Sequence, residues 1–152
     1  MKRWLMYAAA LAAAALCGFH STDVGKLEPV QVLRVGYRGE QVLIETDGGD
    51  TGRGKTVARA VEDLMETASG EIFLETVEDL LLLPGAEELL PALGEYLRPG
   101  CGVCLEAGNG DLEQAGEYLS AHKLPVSLLD YRAGNHSLPR LEAGEEGMRI
   151  VP

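Results

Sequence analysis

Leu80-Leu81-Leu82-Leu83, followed by Pro84, is the stretch that decides the fold, because a short apolar run ended by proline is typical of a buried strand. On its N-terminal side, Glu71-Ile72-Phe73-Leu74 predicts a second short strand. The segment 57–69 carries apolar residues at helical spacing and follows Thr56, a typical helix N-cap. The centre of the domain is therefore predicted to combine buried strands with an amphipathic helix.

Both sides of this centre continue the alternation of strands and helices. Two β-branched runs at 30–37 and 42–44 surround a short glycine-containing turn and predict a β-hairpin. The glycine-rich stretch 47–54 predicts a flexible loop. Pro91 predicts that the next helix is kinked or begins one turn late. The remaining predicted elements are helices over about 86–97 and 111–122 and strands over 101–107 and 148–151.

The whole pattern predicts a mixed α/β (α+β) fold with one mixed sheet of about five strands and three helices. The chain has 152 residues, of which 134 follow the first 18, enough for one domain with a single core. We expect three parts: a signal or lipoprotein signal segment at 1–18, the α/β domain at 19–131, and a Gly-rich C-terminal tail at 132–152.

The N-terminus has the composition of an export signal, with two cations, a thirteen-residue apolar run at 4–16, and Cys17. The run is shorter than the roughly 20 residues that span a bilayer comfortably. A cysteine at this place predicts a lipoprotein acylated on Cys17, although Leu16 stands where the peptidase prefers a small residue. Cleavage near 13–15 and an uncleaved anchor remain alternatives. We expect an extracytoplasmic, membrane-anchored protein, with secretion as the alternative.

The charge argues against binding to nucleic acid. The formal net charge is −11, and removal of Lys2 and Arg3 with the signal takes it to −13. Such a domain is repelled by phosphate backbones and by anionic lipid surfaces. We therefore expect no nucleic-acid partner and membrane attachment only through the N-terminus.

The string Gly49-Asp50-Thr51-Gly52-Arg53-Gly54-Lys55-Thr56 satisfies the P-loop pattern and lies between a predicted strand and a predicted helix. Nucleotide binding is opposed on three grounds. Asp47 and Asp50 put negative charge beside the phosphate position, and the preceding strand belongs to a hairpin rather than to a parallel crossover unit. An exported domain also meets no nucleoside triphosphate. We favour a glycine-rich loop that ends in an N-cap, and keep a P-loop nucleotide binder as the third functional alternative.

Cys101-Gly102-Val103-Cys104 is a CxxC motif that opens a predicted strand rather than a helix. Cysteines three residues apart in an extended strand point to opposite faces, which favours two buried, inert thiols. A turn at Gly102 would permit a disulfide between Cys101 and Cys104, and an extracytoplasmic thiol/disulfide protein is the alternative function. Zinc would need two further ligands, and His122 and His136 lie outside the common spacing, so we predict no metal site.

No constellation for acid–base or nucleophilic catalysis is present. Adjacent acidic pairs such as Glu87-Glu88 diverge on a helix, and the serines lack the glycine pattern of a nucleophile elbow. We expect a protein that is not an enzyme and needs no cofactor.

The order of these pieces resembles the N-terminal domain of the Ger(x)C family of spore-germination lipoproteins, the C subunits of nutrient germinant receptors. Family members usually have a Gly-His step between the two short strands, where this chain has Glu75-Thr76, and they carry further domains. The resemblance runs from Cys17 to about Leu129 and rests on Cys17 with the following acidic segment 22–30, the loop and helix start 52–60, the strands 72–74 and 80–83, and the helix 90–99.

The resemblance implies a lipid-anchored interaction module that works without catalysis. Its partner would be a membrane protein or a related lipoprotein of a spore-forming bacterium. It also implies that the Walker-like string is a family loop rather than a nucleotide site.

Overall fold

The computed structural model describes residues 27–108, 110–134, 137–144 and 147–152. Single 3₁₀ turns lie at Leu74–Thr76 and Glu87–Leu89. The strands and α-helices, in chain order, are β1 (Leu27–Pro29), β2 (Val32–Arg38), β3 (Gln41–Thr46), β4 (Thr51–Gly54), α1 (Val57–Thr67), β5 (Glu71–Phe73), β6 (Asp79–Leu82), α2 (Leu90–Leu93), β7 (Gly102–Ala107), α3 (Leu112–Ala121), α4 (Leu128–Arg132), β8 (Arg140–Gly144) and β9 (Gly147–Val151).

Seven strands form one mixed sheet in the order β4-β3-β2-β6-β7-β8-β9, while β1 and β5 form a separate parallel pair. The four central strands β2, β6, β7 and β8 run parallel. The remaining pairings, β2–β3, β3–β4 and β8–β9, are antiparallel. The predicted mixed sheet in one small α+β domain is confirmed, but the sheet has seven strands rather than about five, and the described residues contain four helices rather than three.

Helices cover both faces of the sheet, which explains why the central strand is apolar without alternation. Leu80, Leu81 and Leu82 are each 0% exposed. Leu80 and Leu82 belong to the core cluster that includes the apolar residues of α1, α2 and α4. Leu81 belongs to a second cluster, on the opposite face, that is closed by α3. Parallel strands buried on both faces require this double covering.

The prediction of a flexible loop at 47–54 is wrong for the second half of this stretch, which forms the edge strand β4. Gly52 and Gly54 are buried against α1. A Cβ on Gly54 would lie 2.5 Å from the backbone nitrogen of Ala60, and one on Gly52 would collide with the Ala60 carbonyl oxygen. The glycines thus allow the helix backbone to lie directly on the strand, and they are not a sign of flexibility here.

Two further expectations are confirmed only in part: the helix begins one turn late, as Pro91 predicts, and the strand expected at 148–151 is β9. The helix expected over 86–97 is a 3₁₀ turn followed by the short α2, which begins one turn late with Pro91 in its first turn, where a missing N–H costs nothing. The tail expected at 132–152 contributes β8 and β9 to the sheet. Its pattern is weak because Leu141 is buried in this hairpin whereas Met148 and Ile150 are only partly buried.

The strand predicted at 71–74 exists as β5, but it pairs with β1 outside the main sheet. Leu27 lies opposite Glu71, and Pro29 lies opposite Phe73. The chain therefore enters the domain alongside β5. Cys17 and the rest of the predicted signal lie outside the described residues.

Candidate functional site

The Walker-like string does not form a phosphate-binding loop. Thr56 caps α1 by accepting a hydrogen bond from the backbone nitrogen of Arg59 at 3.3 Å, as the sequence predicts for an N-cap. Lys55 is exposed beside it. The strand that precedes α1 is the antiparallel edge strand β4, and its glycines contact the helix. The geometry therefore argues against nucleotide binding at this stretch.

The two cysteines of the CxxC motif are free, fully buried thiols. Cys101 belongs to the core beneath α1, α2 and α4, whereas Cys104 belongs to the core beneath α3. Burial raises the pKa of Cys101 to about 12, with a further contribution from the nearby Asp79 carboxylate, and burial also raises the pKa of Cys104. Since the thiolate is the reactive form, this arrangement disfavours redox or metal chemistry at either sulfur.

A buried ion pair on the α3 face was not anticipated from the sequence. Arg34 Nε donates to Glu106 Oε2 at 2.6 Å and Arg34 Nη2 donates to Glu106 Oε1 at 2.7 Å. Nη2 also donates to the Gly110 carbonyl at 2.6 Å, and Nη1 lies 3.5 Å from Glu45. The side chains of Arg34 and Glu106 are only 13% and 4% exposed. Because both carboxylate oxygens of Glu106 accept hydrogen bonds from Arg34, this bidentate pair holds β2, β7 and the loop before α3 together.

Through Glu106 and Gly110 this ion pair lies near the carboxyl end of β7, and open α/β folds usually bind ligands at the carboxyl ends of their parallel strands. The space beside Glu106, bounded by Gly110 and Met148, has a volume of only about 10 Å³. That volume holds one water molecule at most. A ligand site has to be sought elsewhere.

A larger cleft opens at the opposite edge, at the amino ends of β6 and β7, with a volume of about 670 Å³. Asp79, the first residue of β6, lines it, and its carboxylate makes no hydrogen bond or ion pair within the described residues. Desolvation raises the pKa of Asp79 to about 6; the charge of Glu78 adds to this, and Arg98 partly offsets it. The second basic side chain at the cleft is Lys123.

An apolar groove of about 430 Å³ lies between α1, β5 and the segment after α2. Met65 and Phe73 line it and are 51% and 38% exposed. Its other lining residues are the buried Ile72 and Leu74, the half-buried Tyr96, and the carboxylates Glu71, Glu75 and Glu95. No lysine or arginine lines the groove, and none of the three carboxylates is ion-paired in the part of the chain that the structure describes.

Of the two histidines considered as metal ligands, His122 is exposed at the end of α3, where its ring stacks on Tyr118, and His136 lies outside the described residues. Within 27–108, 110–134, 137–144 and 147–152, no three metal-ligating side chains cluster. No helix in these ranges is long and apolar enough to cross a membrane.

Comparisons with protein-family models, with curated proteins and with solved structures find no match to this chain. The sequence pointed to neither the cleft nor the groove. A signal was nevertheless present for the cleft, because Asp79 directly precedes the most apolar run of the chain. A carboxylate at the start of a buried strand raises the free energy of the native state unless it has a hydrogen-bonding or charged partner.

Proposed function

We propose that this protein is a non-enzymatic, exported, membrane-associated interaction module, of the kind found in spore-germination lipoproteins, whose partner is a membrane protein. The observation that carries the proposal is the apolar groove with its three carboxylates, none of which is ion-paired within the described residues. Exposed apolar side chains gathered in a concave site, with charges of one sign around them, are typical of an interaction surface.

The position of the groove relative to the chain entry supports a partner at the membrane. β5 contributes Phe73 and Glu71 to the groove and pairs directly with β1, at the start of the described chain. Ten residue steps separate Cys17 from Leu27. An extended chain covers at most about 3.5 Å per residue, so a lipid on Cys17 would keep β1 within about 35 Å of the bilayer.

The chemistry of the groove selects the occupant. The carboxylates of Glu71, Glu75 and Glu95 would attract lysine or arginine, while Met65 and Phe73 would bury apolar side chains. A bilayer surface rich in anionic lipid would instead be repelled by a domain of this net charge. The occupant is therefore an apolar segment flanked by basic residues, contributed by a membrane protein close to its point of membrane entry.

Site-specific photo-crosslinking in the membranes of the native host tests this proposal. The full-length chain carries p-benzoylphenylalanine at position 73, and the matched control carries it at position 129. Leu129 is apolar and 59% exposed but does not line the groove. We expect a crosslink from position 73 alone, to a peptide of a membrane protein that combines apolar and basic residues. Equal crosslinking from both positions, or a crosslink to a second copy of the chain, would refute the proposal that the groove binds a membrane protein.

Charge reversal provides the second arm of the test. Glu75→Lys with Glu95→Lys places two cations at the groove and should reduce capture of the partner at least about tenfold. Glu113→Lys with Glu117→Lys makes the same change of net charge on α3, across the sheet, and should leave capture unchanged. Mass spectrometry of the N-terminal peptide from the same sample shows whether Cys17 is diacylated. An equal loss in both pairs would mean that the overall charge, and not the groove, governs association.

A further inference from the structure

The cleft at the amino ends of β6 and β7 has the size of a small-molecule site. Its volume of about 670 Å³ lies within the range of roughly 300–1,000 Å³ that is common for ligand pockets. Its walls come from the starts of β6 and β7, the end of α3 and the segment 123–127. Gly102, at the start of β7, bridges to Ser127, so the wall next to α4 is hydrogen-bonded to the sheet.

Most charged groups of the cleft are already engaged. Arg98 Nη2 lies 3.5 Å from Glu78 Oε1. The Asp130 carboxylate accepts hydrogen bonds from the nitrogen and hydroxyl of Ser127 in a capping box. The exception on the acidic side is Asp79, whose carboxylate has neither a hydrogen bond nor an ion pair among the described residues, although the charge of Arg98 is close enough to lower its pKa.

The surroundings of Asp79 are built around its carboxylate. A Cβ on Gly102 would collide with Asp79 Oδ1 and would lie 3.0 Å from Leu124 Cβ. The bare Gly102 backbone therefore makes room for the carboxylate, and Leu124 provides an apolar wall beside it. An acceptor of full charge next to an apolar wall suits a ligand with a positively charged head and a short hydrocarbon part.

We propose that this cleft binds a small molecule through a primary ammonium group, which donates hydrogen bonds to the Asp79 carboxylate while its hydrocarbon part packs on Leu124. A metal ion is the less suitable ligand, because one free carboxylate does not supply the several oxygen ligands that Ca²⁺ or Mg²⁺ needs. The cleft is separate from the groove, and the proposal for the cleft does not depend on the proposal for the groove.

The test is an NMR titration of the ¹⁵N-labelled full-length chain, in a mild non-ionic detergent, with n-butylammonium chloride at constant ionic strength. The amides of Gly100 and Gly102 report on the cleft. We expect saturable shifts at pH 7.5, and none with n-butanol, which has the same hydrocarbon chain without the charge. Asp79→Asn should weaken binding about tenfold or more, the usual effect of losing a charged hydrogen bond.

A steric pair of variants separates the cleft from the rest of the surface. Gly102→Ala should displace the carboxylate and abolish the saturable shifts, whereas Gly116→Ala on α3, which does not line the cleft and whose added Cβ would lie 3.5 Å from Val32, should retain them. The proposal is overturned if n-butanol reproduces the shifts, or if Asp79→Asn binds as tightly as the unmodified chain. Because Asp79→Asn keeps the shape of the side chain, its result stands even if Gly102→Ala folds poorly.

The pH dependence supplies a further readout. With the pKa of Asp79 at about 6, only about a tenth of the carboxylate is ionised at pH 5, so apparent affinity should fall about tenfold from pH 7.5 to pH 5. The other charged groups at the cleft are Glu78, Arg98, Lys123 and Asp130, and the buried thiols of Cys101 and Cys104 remain protonated throughout this range. An affinity independent of pH between 5 and 7.5 would contradict the role of Asp79.

Discussion

Replacement of Asp79 by asparagine should make this protein more stable at neutral pH. The pKa of the carboxyl rises from 3.8 to about 6 on folding, mainly because burial disfavours the charged form. Two pKa units correspond to about 3 kcal/mol, and since Asp79 is only half-buried, solvent screening reduces this to about 1–2 kcal/mol. An asparagine side chain would have the same shape without the charge, so the free energy of unfolding should rise by about 1–2 kcal/mol at pH 7.5.

The sign of the pH dependence follows from proton linkage. Between pH 4 and pH 6 the native state holds a proton on Asp79 that the unfolded state has already released, so stability falls as the pH rises through this window. Below pH 4 both states are protonated and the penalty disappears. The gain from Asp79→Asn should therefore shrink to roughly a third of its neutral value at pH 4.5.

Urea unfolding of the two proteins at pH 7.5 and pH 4.5, followed by circular dichroism, measures this difference. Glu117→Gln on the exposed face of α3 is the matched control, and it should change stability by under about 0.5 kcal/mol at either pH. A destabilised Asp79→Asn variant at pH 7.5 would mean that the carboxylate has a stabilising partner. A gain that is the same at both pH values would mean that desolvation of the charge is not its cause.

Four further outcomes follow from the structure. Gly52→Ala should lower the free energy of unfolding by about 1–3 kcal/mol because its Cβ collides with α1. Lys55→Ala, at an exposed position, should change this free energy by under about 0.5 kcal/mol. No nucleotide should raise the melting temperature of the unmodified chain. Either Arg34→Met or Glu106→Leu alone should cost about 3–5 kcal/mol by stranding a buried charge, and the double variant should recover most of that loss in the same urea experiment. Both described thiols should resist iodoacetamide in the native protein and react after unfolding, with no mass change on reduction beforehand; rapid labelling under native conditions would contradict their burial.

The sequence predicted the parts of the fold whose signal is local. The run at Leu80–Leu83 marks β6, the N-cap at Thr56 marks the start of α1, and the hairpin of β2 and β3 follows from its turn. The strand expected at 148–151 is β9, but its partner β8 was not predicted because the hairpin is only partly buried at the sheet edge and its pattern is weak. Gly52 and Gly54 were interpreted as a loop because a glycine that permits close packing looks the same in sequence as one that permits a turn.

The sites were less predictable because they depend on residues that are distant in sequence. Arg34 and Glu106 are 72 positions apart, and nothing near either residue indicates its partner. The groove brings Met65, Phe73 and Glu95 together from three elements. The CxxC motif was the stronger local signal, yet its two sulfurs lie on opposite faces of the sheet, as an extended strand requires.

Glu106 and Asp79 both lie on the α3 face of the sheet, and they differ in whether the fold provides a hydrogen-bonded cation for the carboxylate. Glu106 accepts two hydrogen bonds from Arg34, so its charge is compensated within the fold and helps to define one arrangement of β2 and β7. Asp79 has no hydrogen bond or ion pair among the described residues, Arg98 offsets its desolvation only in part, and its charge therefore raises the free energy of the native state. A ligand that donates to Asp79 would offset this cost on binding, because its hydrogen bonds would compensate the partial desolvation of the carboxylate. A rise in melting temperature with n-butylammonium at pH 7.5 that is absent in Asp79→Asn would therefore tie the instability and the binding to the same carboxylate.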